Sequence, residues 1–377
     1  MNVTRNILVA VVFLLILALP VVSTVINVFP EFEINENRKL NSKPVFSFLN
    51  YSEYPIGFDD YYNDNFQLRN QYLMINSIFK DIVLQSAPIN TKAVMGKDDW
   101  MFSLDNLKKV YFGNDALTDD QLTRFYNIFK YREEFLDSMG CKYYVVIAPV
   151  KSTIYPDKTP EYYGSQADIT LTDQVIDLMD TIPGICFIDL RDQLKEARRN
   201  IRTYHKTDTH WNFFGSFVAY AEIAKYLSAD FPQIQPITLD EIVFDSVIED
   251  GMNLKRSLGL YHDVNEVKLT YSPLYKPAAV KGKFRNYPSP KFSLSYEYER
   301  VYTTSNDSLP KLLMIRDSFA RTVIPFLSEH FSESVYIFDN WHHEFNQDIV
   351  IKEKPDVFIQ LILESQLKYM YNNSKKP

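Results

Sequence analysis

Hydrophobic and polar positions alternate with two different periods along most of this chain. Short apolar runs that predict buried strands lie at 142–149, 185–190, 311–315, 334–338 and 356–362. Apolar residues recur at helical spacing over 117–139, 173–179, 214–227 and 320–330. Strands and helices that alternate at this pace predict a parallel sheet with helices on both faces. The expected fold class is therefore α/β, as a three-layer α/β/α arrangement over residues 91–377.

Two other stretches depart from this rhythm. Residues 28–90 predict an extended and helical lead, with helical spacing over 67–83. From about 236 to 305, short runs rich in Val, Tyr, Thr and Phe lie between Pro, Asn and Ser. This composition predicts a small antiparallel β-rich insertion in the domain that begins at residue 91, not a second independent domain.

The first 27 residues have a different composition from the rest. Ile7 to Ile26 carries no charged residue, and about 20 apolar residues suffice for a membrane-spanning helix. We therefore expect residues 1–27 to be an amino-terminal membrane anchor, with Arg5 on the cytoplasmic side and the remaining chain outside the cytoplasm. A cleaved signal peptide is the alternative, with Val21-Val22-Ser23 as its cleavage site, and the protein would then be secreted.

Composition excludes several classes of protein. The chain has 377 residues and a net charge of −8, which argues against a nucleic-acid partner. It has no zinc-ligand spacing and only 10 glycines, which leave little material for a phosphate-binding loop, so we expect no metal and no cofactor. Cys141 and Cys186 each lie at the start of a predicted strand, either as a disulfide or as two buried thiols.

Three polar residues at predicted junctions before helices supply the parts of an activated serine. Asp208 and His210 precede the helix at 214–227, and Ser318 follows the strand at 311–315. A serine hydroxyl needs a base to take its proton, and the base needs a third group to orient it. We expect Ser318 to be the nucleophile, His210 the base and Asp208 the group that orients it. The alternatives are helix caps at Asp208, Asp317 and Ser318 and a packed imidazole at His210.

The chain resembles the circularly permuted branch of the SGNH hydrolases, in particular the alginate O-acetyltransferase family and its relatives with an Asp-x-His-Trp motif. The segments that carry the resemblance are Gly96-Lys97-Asp98-Asp99-Trp100-Met101-Phe102, residues 148–156, residues 206–212, Arg316-Asp317-Ser318-Phe319 and residues 353–357. In this branch the Asp-x-His pair precedes the serine, as it does here. The resemblance implies that Asp208, His210 and Ser318 form a catalytic triad that passes acetyl groups to hydroxyls of an exported polysaccharide.

The chain departs from the family pattern at the oxyanion hole. Arg316 occupies the position before Asp-Ser where most SGNH enzymes have glycine, and no asparagine follows the strand at 356–362. The backbone N–H of Ser318 is one expected donor. Arg316, Arg321 and Asn340 are the candidates to complete the hole.

Aromatic residues near the candidate triad suggest a platform for sugar rings. Trp211, Trp341 and Tyr204 are the candidates, because the apolar faces of sugars stack on aromatic rings. The alternative is that these side chains fill the core of a chain with 15% aromatic residues.

Together these observations predict an extracytoplasmic O-acetyltransferase with a serine acyl-enzyme. Its expected partners are a polysaccharide acceptor and a multi-spanning membrane acyltransferase that brings acetyl groups across the bilayer. A carbohydrate acetylesterase of the same fold is one alternative, because water in place of the sugar gives hydrolysis. A non-catalytic polysaccharide-binding or assembly component is the other.

Overall fold

The structure is a computed structural model that describes residues 2–26, 40–79, 92–260, 264–288, 297–339 and 342–373. The chain divides into two compact units. One consists of Met1–Asn90 and Gly251–Val264, and the other of Thr91–Asp250 and Asn265–Pro377.

Helices and strands alternate through most of the larger unit, and the elements of both units are numbered together in chain order. The strands are β1 (Ala93–Met95), β2 (Met101–Ser103), β3 (Lys142–Ala148), β4 (Ile185–Asp189), β5 (Ile242–Asp250), β6 (Asn265–Pro273), β7 (Val280–Lys281), β8 (Glu299–Thr303), β9 (Lys311–Arg316), β10 (Glu333–Phe338) and β11 (Val357–Leu363). The helices are α1 (Asn2–Ile26), α2 (Tyr54–Asn65), α3 (Arg69–Ile78), α4 (Leu104–Asn106), α5 (Asp119–Ser138), α6 (Lys151–Ile154), α7 (Leu171–Met179), α8 (Arg191–Ala197), α9 (Phe213–Asp230), α10 (Asn253–Ser257), α11 (Ile324–Leu327), α12 (Gln347–Glu353) and α13 (Leu367–Asn373).

The smaller unit contains α1, α2, α3 and α10. Asp64, near the end of α2, is buried and accepts hydrogen bonds from the backbone N and the Nδ2 of Asn41, both at 2.9 Å. These bonds hold the segment that precedes α2 against its last turn. Within the described ranges, no helix combines the length and the apolar character needed to cross a membrane.

A seven-stranded sheet forms the centre of the larger unit, in the order β4-β3-β11-β9-β10-β8-β7. The five strands from β4 to β10 are parallel, and β8 and β7 add antiparallel strands at one edge. The predicted α/β class with a parallel sheet is confirmed. Within the stretch predicted as a β-rich insertion, β5 and β6 form their own antiparallel hairpin, whereas β7 and β8 extend the main sheet.

Two hydrophobic clusters pack on opposite faces of the sheet. Along β3, Tyr144 and Val146 enter one cluster, and Val145 and Ile147 enter the other. Since successive side chains of a strand point to opposite faces, a strand covered on both faces is apolar throughout. Helices α5 and α7 contribute to one cluster and α8 and α9 to the other, which gives the three layers predicted from the sequence.

The segment predicted as one helix over 320–330 is divided in the structure. A 3-10 turn over Phe319–Thr322 is followed by α11 and a second 3-10 turn over Ser328–His330. Pro325 lies in the first turn of α11. Proline has no N–H to donate and its ring clashes with the preceding turn of a helix, so a helix begins near Pro325 and does not run through it.

Both cysteines are free thiols. The parallel register of β3 and β4 places Cys186 opposite Tyr144, whereas Cys141 lies before the first residue of β3. Burial raises the pKa of the Cys141 thiol to about 12 and that of Cys186 to about 11. Both therefore stay protonated at neutral pH and are poor nucleophiles.

The β5–β6 hairpin packs on α9 through aromatic side chains. The rings of Phe213 and Tyr271 have their centroids 4.9 Å apart, and those of Phe214 and Phe244 lie 5.6 Å apart. Aromatic pairs at such distances stabilise beyond the area that they bury. The hairpin is thus attached to the helix that follows the Asp208–His210 loop.

Candidate active site

The nucleophile candidate lies in a tight turn at the carboxyl end of β9. Asp317 follows the strand, and Ser318 immediately precedes the 3-10 turn. The Oδ1 of Asp317 accepts a hydrogen bond from the backbone N of Phe319 at 2.8 Å, and its Oδ2 accepts one from the backbone N of Leu363 at 2.6 Å. Asp317 therefore joins this turn to the end of the neighbouring strand β11. Burial raises the pKa of its carboxyl to about 6, against these hydrogen bonds.

The loop that carries the acid and base candidates is closed on itself before α9. An antiparallel bridge joins Tyr204 to Trp211, and the backbone N of Asn212 donates to the carbonyl of Thr203 at 2.9 Å. The side chain of Asn212 caps α9 by accepting from the backbone N of Gly215 at 2.9 Å. A Cβ at Gly215 would lie 2.1 Å from the Thr203 carbonyl, so glycine is required for this close approach.

The structure brings Asp208, His210 and Ser318 into one line of hydrogen bonds. The Nε2 of His210 lies 2.8 Å from the Oγ of Ser318, and its Nδ1 lies 2.5 Å from the Oδ1 of Asp208. The same carboxylate oxygen accepts the backbone N–H of His210 at 2.9 Å. With a proton on Nδ1, the unprotonated Nε2 faces the serine hydroxyl, which is the arrangement that a general base requires.

Electrostatics keep Asp208 ionised. Burial alone would raise the pKa of its carboxyl, but the hydrogen bonds and charge of His210 outweigh burial and lower it well below its ordinary value. The Asp208 side chain is buried, whereas 32% of the His210 side chain is exposed. The base candidate is therefore accessible to a substrate while its orienting carboxylate is shielded from water.

Lys151 supports this loop from the first turn after β3. Its Nζ donates to the backbone carbonyls of His205 and Lys206, each at 2.9 Å, and to that of Asp208 at 2.6 Å. All three ammonium protons thus have an acceptor. Burial lowers the pKa of Lys151 to about 7, against the nearby carboxylates. No sequence pattern alone indicates this role for Lys151. The signal was a lysine within an apolar segment at the carboxyl end of a buried strand.

Of the predicted oxyanion candidates, Arg316 faces the interior. It is fully buried, its guanidinium donates to the carbonyls of Asp317 and Glu297, and it lies 4.7 Å from the centroid of the Phe338 ring. Its Nε has no hydrogen-bond partner among the described residues, and its role as an oxyanion donor stays a prediction. Arg321 has 48% of its side chain exposed and pairs with Glu297 at 3.3 Å, so its contact with an oxyanion stays a prediction.

The predicted aromatic platform is not available at two of its three positions. Trp211 is 1% exposed and Tyr204 is 0% exposed, so neither ring presents a face to a sugar. The Nε1 of Trp211 donates to the backbone carbonyl of Phe319 at 3.1 Å. The hydroxyl of Tyr204 donates to the backbone carbonyl of Pro149. Trp211 therefore fastens the base loop to the turn that carries Ser318. The remaining candidates, Asn340 and Trp341, lie outside the described residues.

Glu364 occupies the place after β11 where the family pattern has an asparagine. It is 2% exposed and accepts a hydrogen bond from the hydroxyl of Thr153, while its Oε2 has no partner among the described residues. Burial raises the pKa of Glu364 to about 8. Its carboxyl is therefore largely protonated at neutral pH, which lets it be buried without a cation beside it.

Replacing Glu364 with glutamine is expected to flatten the dependence of stability on pH between about 5 and 8. The folded chain keeps the Glu364 proton up to a pKa of about 8, whereas the unfolded chain loses it near the ordinary value of 4.5. Because the folded state binds more protons in this window, the free energy of unfolding falls as pH rises through it, by on the order of 1 kcal/mol per pH unit. Glutamine has no such proton to lose.

Urea denaturation at several pH values checks this expectation. Glu161→Gln, at a glutamate whose side chain is 89% exposed, is the control and should retain the slope of the parent chain. A slope in Glu364→Gln equal to that of the parent would show that this carboxyl is not the source of the pH dependence.

No group of three or more His, Cys, Asp and Glu side chains suited to a metal ion occurs in the described part of the chain. At the site, the imidazole of His210 lies within hydrogen-bond distance of both the hydroxyl of Ser318 and the carboxylate of Asp208. Three such groups in one line activate a nucleophile for acyl transfer.

Comparison with known proteins shows which family part of the chain resembles. Residues 93–261, a little under half of the chain, match the family described as "SGNH hydrolase-like domain, acetyltransferase AlgX". Asp208 and His210 lie within this segment, and Ser318 lies beyond its end. The resemblance to the SGNH hydrolase-like acetyltransferase domain is confirmed, and so is the SGNH hydrolase-like fold.

The curated relatives carry the name "Probable alginate O-acetylase AlgJ". That of Azotobacter vinelandii is 27% identical over 134 residues, which are 35% of this chain and 32% of the relative. That of Pseudomonas aeruginosa is 27% identical over 126 residues, which are 33% of this chain and 30% of the relative. The chain thus spans about a third of the length of the curated relatives that it matches.

Two solved structures share the fold. A DHHW family protein from Eubacterium siraeum is 16% identical, with a TM-score of 0.55 over 78% of this chain and 99% of the other. Bacillus cereus PatB1, in a structure with a sulfonyl adduct, is 16% identical, with a TM-score of 0.55 over 74% of this chain and 99% of the other. At these identities the likeness concerns the fold alone.

Proposed function

We propose that this protein is an O-acetyltransferase that moves an acetyl group through a serine acyl-enzyme to hydroxyl groups of a polysaccharide. The observation that carries the proposal is the line of hydrogen bonds from Asp208 through His210 to Ser318, at 2.5 Å and 2.8 Å. The names of the curated relatives, alginate O-acetylases, support the choice of acetyl as the group and of a polysaccharide as the acceptor.

In the first half-reaction, the Oγ of Ser318 attacks the carbonyl carbon of an acetyl ester. A bond forms between Oγ and that carbon, and the hydroxyl proton passes to the Nε2 of His210. The negative charge that develops on the carbonyl oxygen faces the amino end of the turn after Ser318, where the Ser318 backbone N–H is one donor. The bond to the leaving oxygen then breaks, and that oxygen takes the proton from His210.

In the second half-reaction, a sugar hydroxyl replaces the leaving alcohol. His210 takes its proton, the sugar oxygen attacks the acetyl carbonyl, and the bond from that carbon to the Oγ of Ser318 breaks. The proton returns from Nε2 to the serine oxygen. Asp208 accepts a hydrogen bond from the Nδ1–H of His210 throughout, and its negative charge stabilises the imidazolium form of His210.

The proposal also covers where the enzyme acts and how acetyl groups reach it. The uncharged stretch from Ile7 to Ile26 supports an extracytoplasmic site of action, with the segment as an anchor or a signal peptide. Activated acetyl donors are cytoplasmic, so an extracytoplasmic acetyltransferase needs a partner that moves acetyl groups across the membrane. A multi-spanning membrane acyltransferase is the proposed partner.

An acyl-transfer assay tests the proposed function directly. The purified chain is incubated with 4-nitrophenyl acetate, with and without an unacetylated oligosaccharide of β-linked uronic acids or neutral hexoses. We expect release of 4-nitrophenol and a mass increase of one acetyl group on the oligosaccharide. Release without any acetylated sugar would instead identify an acetylesterase. If neither 4-nitrophenol release nor acetylation were observed, that result would overturn an enzymatic function and favour a binding or assembly role.

A further inference from the structure

Glu266 is a buried carboxylate aimed at the loop that carries the acid and base candidates. It lies on β6, on the hairpin side of the domain, and is 1% exposed. Its Oε2 accepts the backbone N–H of Thr207 at 2.8 Å and the Thr207 hydroxyl at 2.7 Å. Its Oε1 lies 2.8 Å from the Nη2 of Arg202 and accepts the backbone N–H of Lys206 at 3.3 Å.

Lys151 contacts the carbonyl groups of the same loop, whereas Glu266 contacts its N–H groups. Its ammonium binds the carbonyls of His205, Lys206 and Asp208, whereas Glu266 binds the N–H groups of Lys206 and Thr207. Hydrogen bonds to charged groups are shorter and about twice as strong as neutral ones. The peptide groups just before His210 are therefore held by the Lys151 amino group through their oxygens and by the Glu266 carboxylate through their nitrogens.

We propose that Glu266 is a positioning residue of the active site, which fixes the Thr207–Asp208 backbone so that Asp208 meets His210. The inference rests on the proposed function. It makes the β5–β6 hairpin a part of the catalytic apparatus, because β6 presents the carboxylate to the loop. Glu266 contacts no reacting atom and acts through the loop alone.

The charge state of Glu266 agrees with this role. Burial alone would raise the pKa of its carboxyl, but its hydrogen-bonded and charged neighbours lower it to about 2. It is thus an anion over the whole physiological range. An uncharged carboxyl would present a hydroxyl proton to a loop that offers it donors.

The test compares two charge-removing substitutions at directly opposed positions of one hairpin. Glu249 on β5 is the cross-strand partner of Glu266, but its side chain is 52% exposed and pairs with Lys268. Glu266→Gln and Glu249→Gln therefore each remove one negative charge from the same level of the hairpin. Glu266 faces the loop, whereas Glu249 faces solvent. Each variant is treated with phenylmethanesulfonyl fluoride, which forms a sulfonyl ester with an activated serine and releases fluoride.

We expect the maximal rate at which phenylmethanesulfonyl fluoride reacts with Ser318 to fall about 10- to 100-fold in Glu266→Gln. A small displacement of a catalytic group has effects of that size. The reagent concentration for half-maximal rate should stay within twofold of the parent, because the serine and its surroundings are untouched. Glu249→Gln should match the parent in both values. An unchanged maximal rate in a folded Glu266→Gln, or an equal loss in Glu249→Gln, would overturn the inference.

Thermal melting separates positioning from folding. Should Glu266→Gln melt below the assay temperature, Thr207→Val decides, since valine has the shape of threonine and removes only the hydroxyl bonded to Glu266. A severalfold lower maximal rate in Thr207→Val supports positioning, and a rate equal to the parent overturns it. Labelling of the parent at Ser318 without acetyl transfer overturns only the proposed transferase. A parent that is not labelled at all overturns both.

Discussion

The Ser318→Ala chain should lose nearly all acyl transfer, by at least about 10³-fold in kcat/KM for 4-nitrophenyl acetate. Alanine removes the atom that forms the acyl-enzyme and the atom that faces the Nε2 of His210 at 2.8 Å. The fold should not change, because the Oγ of Ser318 has His210 as its hydrogen-bond partner and the turn is held by Asp317 instead. Initial rates together with a thermal melt measure both expectations.

Ser308→Ala is the matched control for this substitution. Ser308 is an exposed serine in the turn before β9, with its hydroxyl bonded to Asn306. It should leave the rate within twofold of the parent. Retention of more than about a tenth of the activity in Ser318→Ala would exclude a serine acyl-enzyme at this position, since no other nucleophile can reproduce the covalent step.

The second large effect is expected for Asp208→Asn, with a fall in kcat on the order of 10²- to 10⁴-fold. Asparagine keeps an oxygen that can accept the Nδ1 and backbone protons of His210, so the imidazole can keep its place. It removes the negative charge that stabilises the imidazolium formed when Ser318 gives up its proton. The loss should therefore appear in kcat, with KM for the acetyl ester nearly unchanged.

Asp245→Asn serves as the comparison for this variant, because Asp245 is an exposed aspartate on β5. Its kinetic constants should equal those of the parent. An Asp208→Asn chain with a full kcat would mean that the 2.5 Å contact between Asp208 and His210 only holds the loop. Steady-state kinetics of both chains, after a melt that confirms folding, distinguishes the two results.

Short-range patterns made most of the architecture predictable. Strands β3, β9, β10 and β11 have long apolar runs because the sheet is covered on both faces, and such runs are visible without any tertiary information. The pairing of Asp208 with His210 is also local, because the two residues are only two positions apart in the chain. The helix predicted over 320–330 was wrong at Pro325, where a proline outweighed apolar spacing.

Burial is where sequence patterns misled. Trp211, Tyr204 and Arg316 are polar or aromatic residues next to the candidate triad, and proximity in sequence suggested contact with substrate. In the structure all three side chains are buried and donate hydrogen bonds to backbone carbonyls. Which side of a loop meets solvent is decided by the elements packed against it, and those are remote in the chain.

The sequence by itself determined the alternation of strands and helices and the order of the base candidate before the nucleophile candidate. It also singled out three residues that the structure brings together. Only the tertiary structure decided how they are held. Lys151 and Glu266 reach the Asp208 loop from 57 and 59 residues away, through a strand end and a hairpin. Their role depends on long-range packing and desolvation, which leave no periodic signal in a sequence.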